Sequence, residues 1–125
     1  MLSELLRRAG LGSLITPKVP VTQIETVEQK IFKQQTALGD SCIANGRFEE
    51  SILPYRNALA NNTESREAMF NYAVANRLCG TEAHLKSATI WFEQALGAAQ
   101  DGKITDAAIH EQVVLLKQAR SLHTS

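Results

Sequence analysis

The sequence predicts an all-α fold of stacked helical hairpins, and three observations predict it. The first is a pattern written twice: Leu38-Gly39, Gly46, Tyr55 and Ala58-Leu59, then Tyr72-Ala73, Gly80, Phe92 and Ala95-Leu96. Gly39 and Ala73 stand 34 residues apart, as do Gly46 and Gly80. The second is the chemistry of the pattern. A small residue beside a large apolar one lets two helices approach closely while the large one fills the gap, and a glycine turns the corner between them. The third is the period itself, which suits a helix-turn-helix unit that cannot bury its apolar face alone and therefore stacks on its neighbours.

Residues 1–21 form a separate segment. Within Leu2 to Ile15, Leu2, Leu5, Leu6 and Ala9 share one helical face, with Arg7 and Arg8 off it. Gly10 and Gly12 limit this short amphipathic helix. Glu4 and the two arginines interrupt the apolar run, so it does not read as a secretory signal. The preferred reading is a docking helix against a partner or the domain's own surface, and the alternative is a mitochondrial targeting sequence. Pro17 and Pro20 make the following stretch an extended linker, because each disfavours helix at the residue before it.

The repeat domain spans 22–125. Thr22 with Glu25 spells a capping box, and Ile24, Val27, Ile31, Leu38 and Cys42 keep helical spacing as far as Gly46. Ile24, Val27 and Ile31 extend upstream of the repeat, so they require a neighbour that the repeat does not supply. The second helix runs from Phe48 to Asn61 with Phe48, Ile52, Tyr55 and Leu59 inward, and Pro54 predicts a local bend. Glu64 to Cys79 is the third, burying Ala68, Met69, Tyr72, Ala73 and Asn76 before Gly80 ends it. Glu82 to Ala99 is the fourth, with Leu85, Ala88, Phe92, Ala95 and Leu96 inward. Asp101-Gly102 turns the chain. Thr105 caps a last helix whose stripe is Ile109, Val113 and Leu116, stapled by Ile104 against Ile109, and His123 to Ser125 are expected to fray.

Composition narrows the function. The chain has 125 residues, enough for one domain that buries roughly two-thirds of its unfolded surface unaided. Its 13 basic and 13 acidic residues cancel, which removes the basic excess a nucleic-acid binder carries. No run reaches the length of a membrane span. Cys42 and Cys79 have no metal-ligand or CxxC spacing and read as reduced structural thiols, in keeping with a cytoplasmic protein or, alternatively, a mitochondrial one. No metal and no cofactor are expected.

The repeated residues resemble the tetratricopeptide repeat over roughly residues 32–99. Leu38-Gly39, Phe48, Tyr55, Ala58 and Leu59 match in the first unit, and Tyr72-Ala73, Ala88, Phe92, Ala95 and Leu96 in the second. The second unit departs from the pattern: Gly46 to Ala58 spans 12 positions but Gly80 to Ala95 spans 15, with the extra residues near Thr81–Leu85. The stretch Leu85 to Ala95 is also similar to the longer Sel1-type repeat. The resemblance implies a right-handed α-α superhelix of two hairpins, a C-terminal capping helix at 105–122, and a concave groove that holds a partner's helix or peptide.

Carried over residue by residue, the groove comprises Thr36, Asp40, Ile43 and Ala44 from the first unit and Phe70, Asn71, Val74, Arg77 and Leu78 from the second. Phe70, Val74 and Leu78 would anchor the partner, with Asp40, Asn71 and Arg77 orienting it. For Phe70 and Leu78 the competing reading is packing against the C-terminal helix. The family members that bind acidic chaperone tails use lysine and asparagine on the first helix. Thr36 and Asp40 occupy those places, and only Asn71 fits. Trp91, together with Leu2, Leu5, Leu6, Arg7 and Arg8, is a second candidate interface. His84, His110 and His123 fall on different elements with no metal spacing, and no nucleophile or phosphate-loop motif occurs. The sequence thus reads as a non-catalytic adaptor or accessory subunit of a hetero-complex. The alternative is a structural subunit of an organellar membrane complex, docked through its N-terminal segment.

Overall fold

The computed structural model describes residues 24–124. The expected amphipathic helix, with Leu2, Leu5, Leu6, Arg7 and Arg8, lies outside them. Among the described residues the fold is all-α: α1 (Val27–Ala44), α2 (Phe48–Asn61), α3 (Arg66–Cys79), α4 (Glu82–Gly97) and α5 (Asp106–Thr124). Each helix packs on its successor, α1 on α2 and α3 on α4 as hairpins, and α5 also touches α3.

The helix ends follow local chemistry. A capping box starts α1, but it is built by Thr26 and Gln29 rather than by Thr22 and Glu25. The Gln29 amide donates to Thr26 Oγ1 at 3.0 Å and the Thr26 amide to Gln29 Oε1 at 2.8 Å. Thr22 is outside the described residues, and the Glu25 carboxylate pairs with Lys33 instead. The same motif is spelled twice in succession, and the later copy starts the helix. At the other end the Arg47 amide donates to Cys42 and the Gly46 amide to Ile43, at 2.8 and 3.0 Å. These two bonds close a Schellman turn around Gly46, whose φ of 74° suits glycine.

Ser65, Thr81 and Thr105 cap α3, α4 and α5, each hydroxyl accepting the amide three residues on at 3.1 Å, whereas Arg47 starts α2 with no side-chain cap. Ser65 as cap begins α3 at Arg66, two residues later than expected. Gly80 stops α3 with φ 79°. The fourth helix ends at Gly97, short of the expected Ala99, because Ala98 turns extended. Asp101 Oδ1 accepts the amides of Lys103 and Ile104, which forms the turn into α5. The last helix continues to Thr124, so it includes His123 and Thr124, while Ser125, the third residue expected to fray, lies outside the described residues. The second helix carries the buried Pro54 within it, as its sequence implies.

Packing is lopsided. The largest buried cluster gathers Leu59, Met69, Ala73, Leu85, Phe92, Ala95, Ile109 and Leu116, so it lies mostly among α3, α4 and α5, while Tyr55 and Ala58 of α2 are buried beside it. Only Gly39 of α1 is fully buried. A methyl group there would stand 2.5–2.7 Å from Tyr55 ring carbons, well inside contact distance, so α1 meets α2 by laying bare backbone on an aromatic face. Ala73 is completely buried on α3, the second close approach.

The inward role expected of Leu38 is overturned: it is 51% exposed. Neighbouring helical residues point about 100° apart, so seating Gly39 on Tyr55 turns Leu38 outward. Ile24 and Val27 are exposed as well. Tyr72 is only half-buried, and Arg66 is buried beside the expected core of α3. Its guanidinium donates to the carbonyls of Leu96, Ala98 and Ile104 at 3.1–3.3 Å and to Asp106 at 2.7 Å. One side chain at the start of α3 thereby fastens the connection between α4 and α5.

Candidate functional site

A concavity of about 650 Å³ runs along α1 and opens at the start of α3, within the range of ligand sites. Its floor is one helical row. Glu28, Phe32, Thr36 and Asp40 recur every four residues and therefore share a face. Asn61 and Asn62 close it from the end of α2, and Glu67 with Lys103 faces them from across the array.

The row is chemically graded. Phe32 is half-buried against the core and offers an apolar seat. The Thr36 hydroxyl oxygen is buried without a hydrogen-bond partner, a vacancy that costs about 1–3 kcal/mol. Asp40 accepts from the Tyr55 hydroxyl at 2.5 Å, which fixes the carboxylate. Burial, and then the bond to Asp40, raise the Tyr55 hydroxyl far above the ordinary tyrosine range, so it stays a donor. Lys33 pairs with Glu25 and Lys103 with Glu67, the latter at 3.6 Å. That leaves Glu28 and Asp40 without a cation partner among the described residues, and the cleft carries excess negative charge.

Of the residues named from sequence, Thr36 and Asp40 line this cleft. Ile43 lies beyond its lining and is half-buried, and Ala44 is exposed at the end of α1. None of the second-unit residues reaches it. Phe70 packs edge-to-face on Phe92, ring centres 5.9 Å apart, and Val74 rests against the core. Arg77 donates to Gln112 of α5 at 2.9 Å, and burial draws its guanidinium down from the usual arginine range. Packing inside the chain thus engages Phe70, Val74 and Arg77. Asn71 stands one turn along α3 from Glu67, outside the cleft lining. Leu78 lines a separate hollow with Phe48 and Cys79. Trp91 packs edge-to-face on Tyr72 at 5.8 Å, and its neighbour Ile90 is the exposed member of the pair.

Most of the cleft lining escaped the sequence reading, Phe32, Glu28 and Glu67 among it. The four-residue spacing through Thr36 was the available signal for the first two. Glu67 meets them only through the stacking of α3. His84, Asp40 and Cys79, the scattered groups a catalytic site would have to gather, fall apart: His84 Nδ1 contacts the capping Thr81 hydroxyl, and Cys79 lies in the other hollow. Burial, with Glu49 nearby, raises the Cys79 thiol and suppresses its reactive thiolate. Among the described residues no three His, Cys, Asp or Glu side chains gather as a metal site, and no helix is long and apolar enough to cross a membrane. No family model matches the chain, and no curated protein or solved structure is significantly similar to it.

Proposed function

We propose that this chain is a tetratricopeptide-like array, its hairpins winding as a right-handed superhelix, that works as a non-catalytic adaptor or accessory subunit. It takes a helix or extended segment of another protein in the cleft along α1. The observation that carries this reading is the row Phe32, Thr36 and Asp40 within one concavity, which sets an apolar seat and a carboxylate held in place two turns apart. A partner segment with an apolar side chain over Phe32 fills that seat, and a basic residue complements Asp40 and Glu28. The recognition mode is an elongated segment laid in a groove, read at successive turns. Cys42 and Cys79 are both free thiols, in keeping with a place in the reducing cytoplasm.

Affinity capture from cells expressing the tagged full chain tests the proposal. Ala37→Arg, at an exposed position in the cleft lining, fills the cleft and adds positive charge to it, so the fold is retained and a specific co-purifying protein is lost. A control change on α4, Lys86→Glu, leaves that protein bound. If the cleft variant retains every partner of the wild type, the cleft is not the binding site.

A further inference from the structure

The two ends of the array differ. At one, α5 covers the α3–α4 hairpin with Ile109 and Leu116. At the other, nothing among the described residues covers the face of the α1–α2 hairpin turned away from α3. There Val27 is 67% exposed, Leu38 51% and Leu53 54%. These residues share an edge. Gln35 and Asn57 are joined by a hydrogen bond of 3.2 Å. Leu38 follows Gln35 by three residues and Leu53 precedes Asn57 by four. Because the helices run antiparallel, both leucines lie beyond the bond in the same direction. Ile31 and Val27 continue the row back along α1, one and two turns before Gln35.

We propose that this outer face is the seat of residues 2–15 of the same chain, which serve as the missing end cap. The chain's own dimensions favour this occupant. The row from Val27 to Leu38 is about 16 Å long, and a helix from Leu2 to Ala9 would measure about 12 Å, short enough to lie on it. Residues 16–23 can span at most about 26–29 Å when extended, as Pro17 and Pro20 dispose them to be. The segment can therefore turn back at Ile24 and lie along α1. Leu2, Leu5, Leu6 and Ala9 supply an apolar face to match, with Arg7 and Arg8 left toward solvent. A tethered segment also has an advantage over a second copy. Its effective concentration is in the millimolar range, and it avoids the loss of translational freedom that association of two molecules entails. This face is separate from the cleft, so the inference stands or falls apart from the proposed function.

Paramagnetic NMR on the full chain tests it. A nitroxide is attached at Arg7→Cys in a Cys42→Ser, Cys79→Ser background, away from the apolar face of the segment. The expected result is loss of amide signal at Val27, Ile31, Leu38 and Leu53, within a chain that is both labelled and spin-bearing. Adding Leu38→Glu and Leu53→Glu, at exposed positions that leave the helical circular dichroism unchanged, restores those signals. Three results overturn the proposal: no loss at these amides, loss concentrated on the cleft row instead, or loss arising only when isotope and spin label are on different chains. The last would mean that a second copy occupies the face.

Discussion

Arg66 is a stringent test of how the second hairpin and the terminal helix are held together. It is 2% exposed and its two terminal nitrogens reach four acceptors, three of them backbone carbonyls between Leu96 and Ile104. Replacement by alanine removes every donor at once. Each carbonyl deprived of its partner while buried costs about 1–3 kcal/mol, but the loop is half-exposed and water recovers part of this. The net loss is therefore set at about 3–5 kcal/mol, the range for breaking a buried charged network. Most of that loss comes from the carbonyls, because the Asp106 side chain is 53% exposed and readily hydrated. Asp106→Asn should accordingly cost less than about 1 kcal/mol. Arg66→Lys should fall between the two, since one ammonium cannot reach both groups of acceptors. Urea unfolding of the full chain, followed by far-ultraviolet circular dichroism, measures all three. For a domain of this size the alanine change should lower Tm by at least about 12 °C. An Arg66→Ala loss below about 1 kcal/mol, or one no larger than that of Asp106→Asn, would refute the reasoning.

Three further outcomes are expected. Gly39→Ala should destabilise by about 1–3 kcal/mol in urea, despite a helix-propensity gain of up to about 1 kcal/mol, because the new methyl meets the Tyr55 ring; a stabilised variant would place the crossing elsewhere. Thr36→Val should leave the chain equally or more stable in urea by removing a buried, unpartnered hydroxyl; a loss of more than about 1 kcal/mol would mean that the hydroxyl has a partner. Raising the pH should weaken the fold through Tyr55. Below about pH 10 both states keep the phenolic proton, whereas above it the unfolded chain releases it first, so stability falls by up to about 1.4 kcal/mol per pH unit. Tyr55→Phe should flatten that slope between pH 10 and 11, and equal slopes would count against the buried phenol.

Much of the architecture was legible because it is local. Gly46 and Gly80 mark helix ends that need a positive φ, and the spacing of Leu85, Ala88, Phe92 and Ala95 declares the buried face of α4 without reference to any other helix. The misreadings share a different cause. Leu38 faces solvent because Gly39 is consumed by Tyr55, a contact 16 residues away in sequence. Arg66 looks like an ordinary helix-start cation until the carbonyls past residue 95 fold around it. The site was legible only along α1: Thr36 and Asp40 lie on a four-residue row, and a row is visible in sequence. Whether Phe70, Val74 and Arg77 would face a partner or their own chain depended on where α4 and α5 come to rest, which no spacing within α3 encodes.

The most direct test of the binding role is short-range photo-crosslinking in cells. A photoreactive residue in place of Ala37, exposed within the cleft lining, is compared with one in place of Lys86 on α4. The account predicts covalent capture of the partner protein from the Ala37 position and none from Lys86. Capture from Lys86 alone, or equally from both, would contradict it.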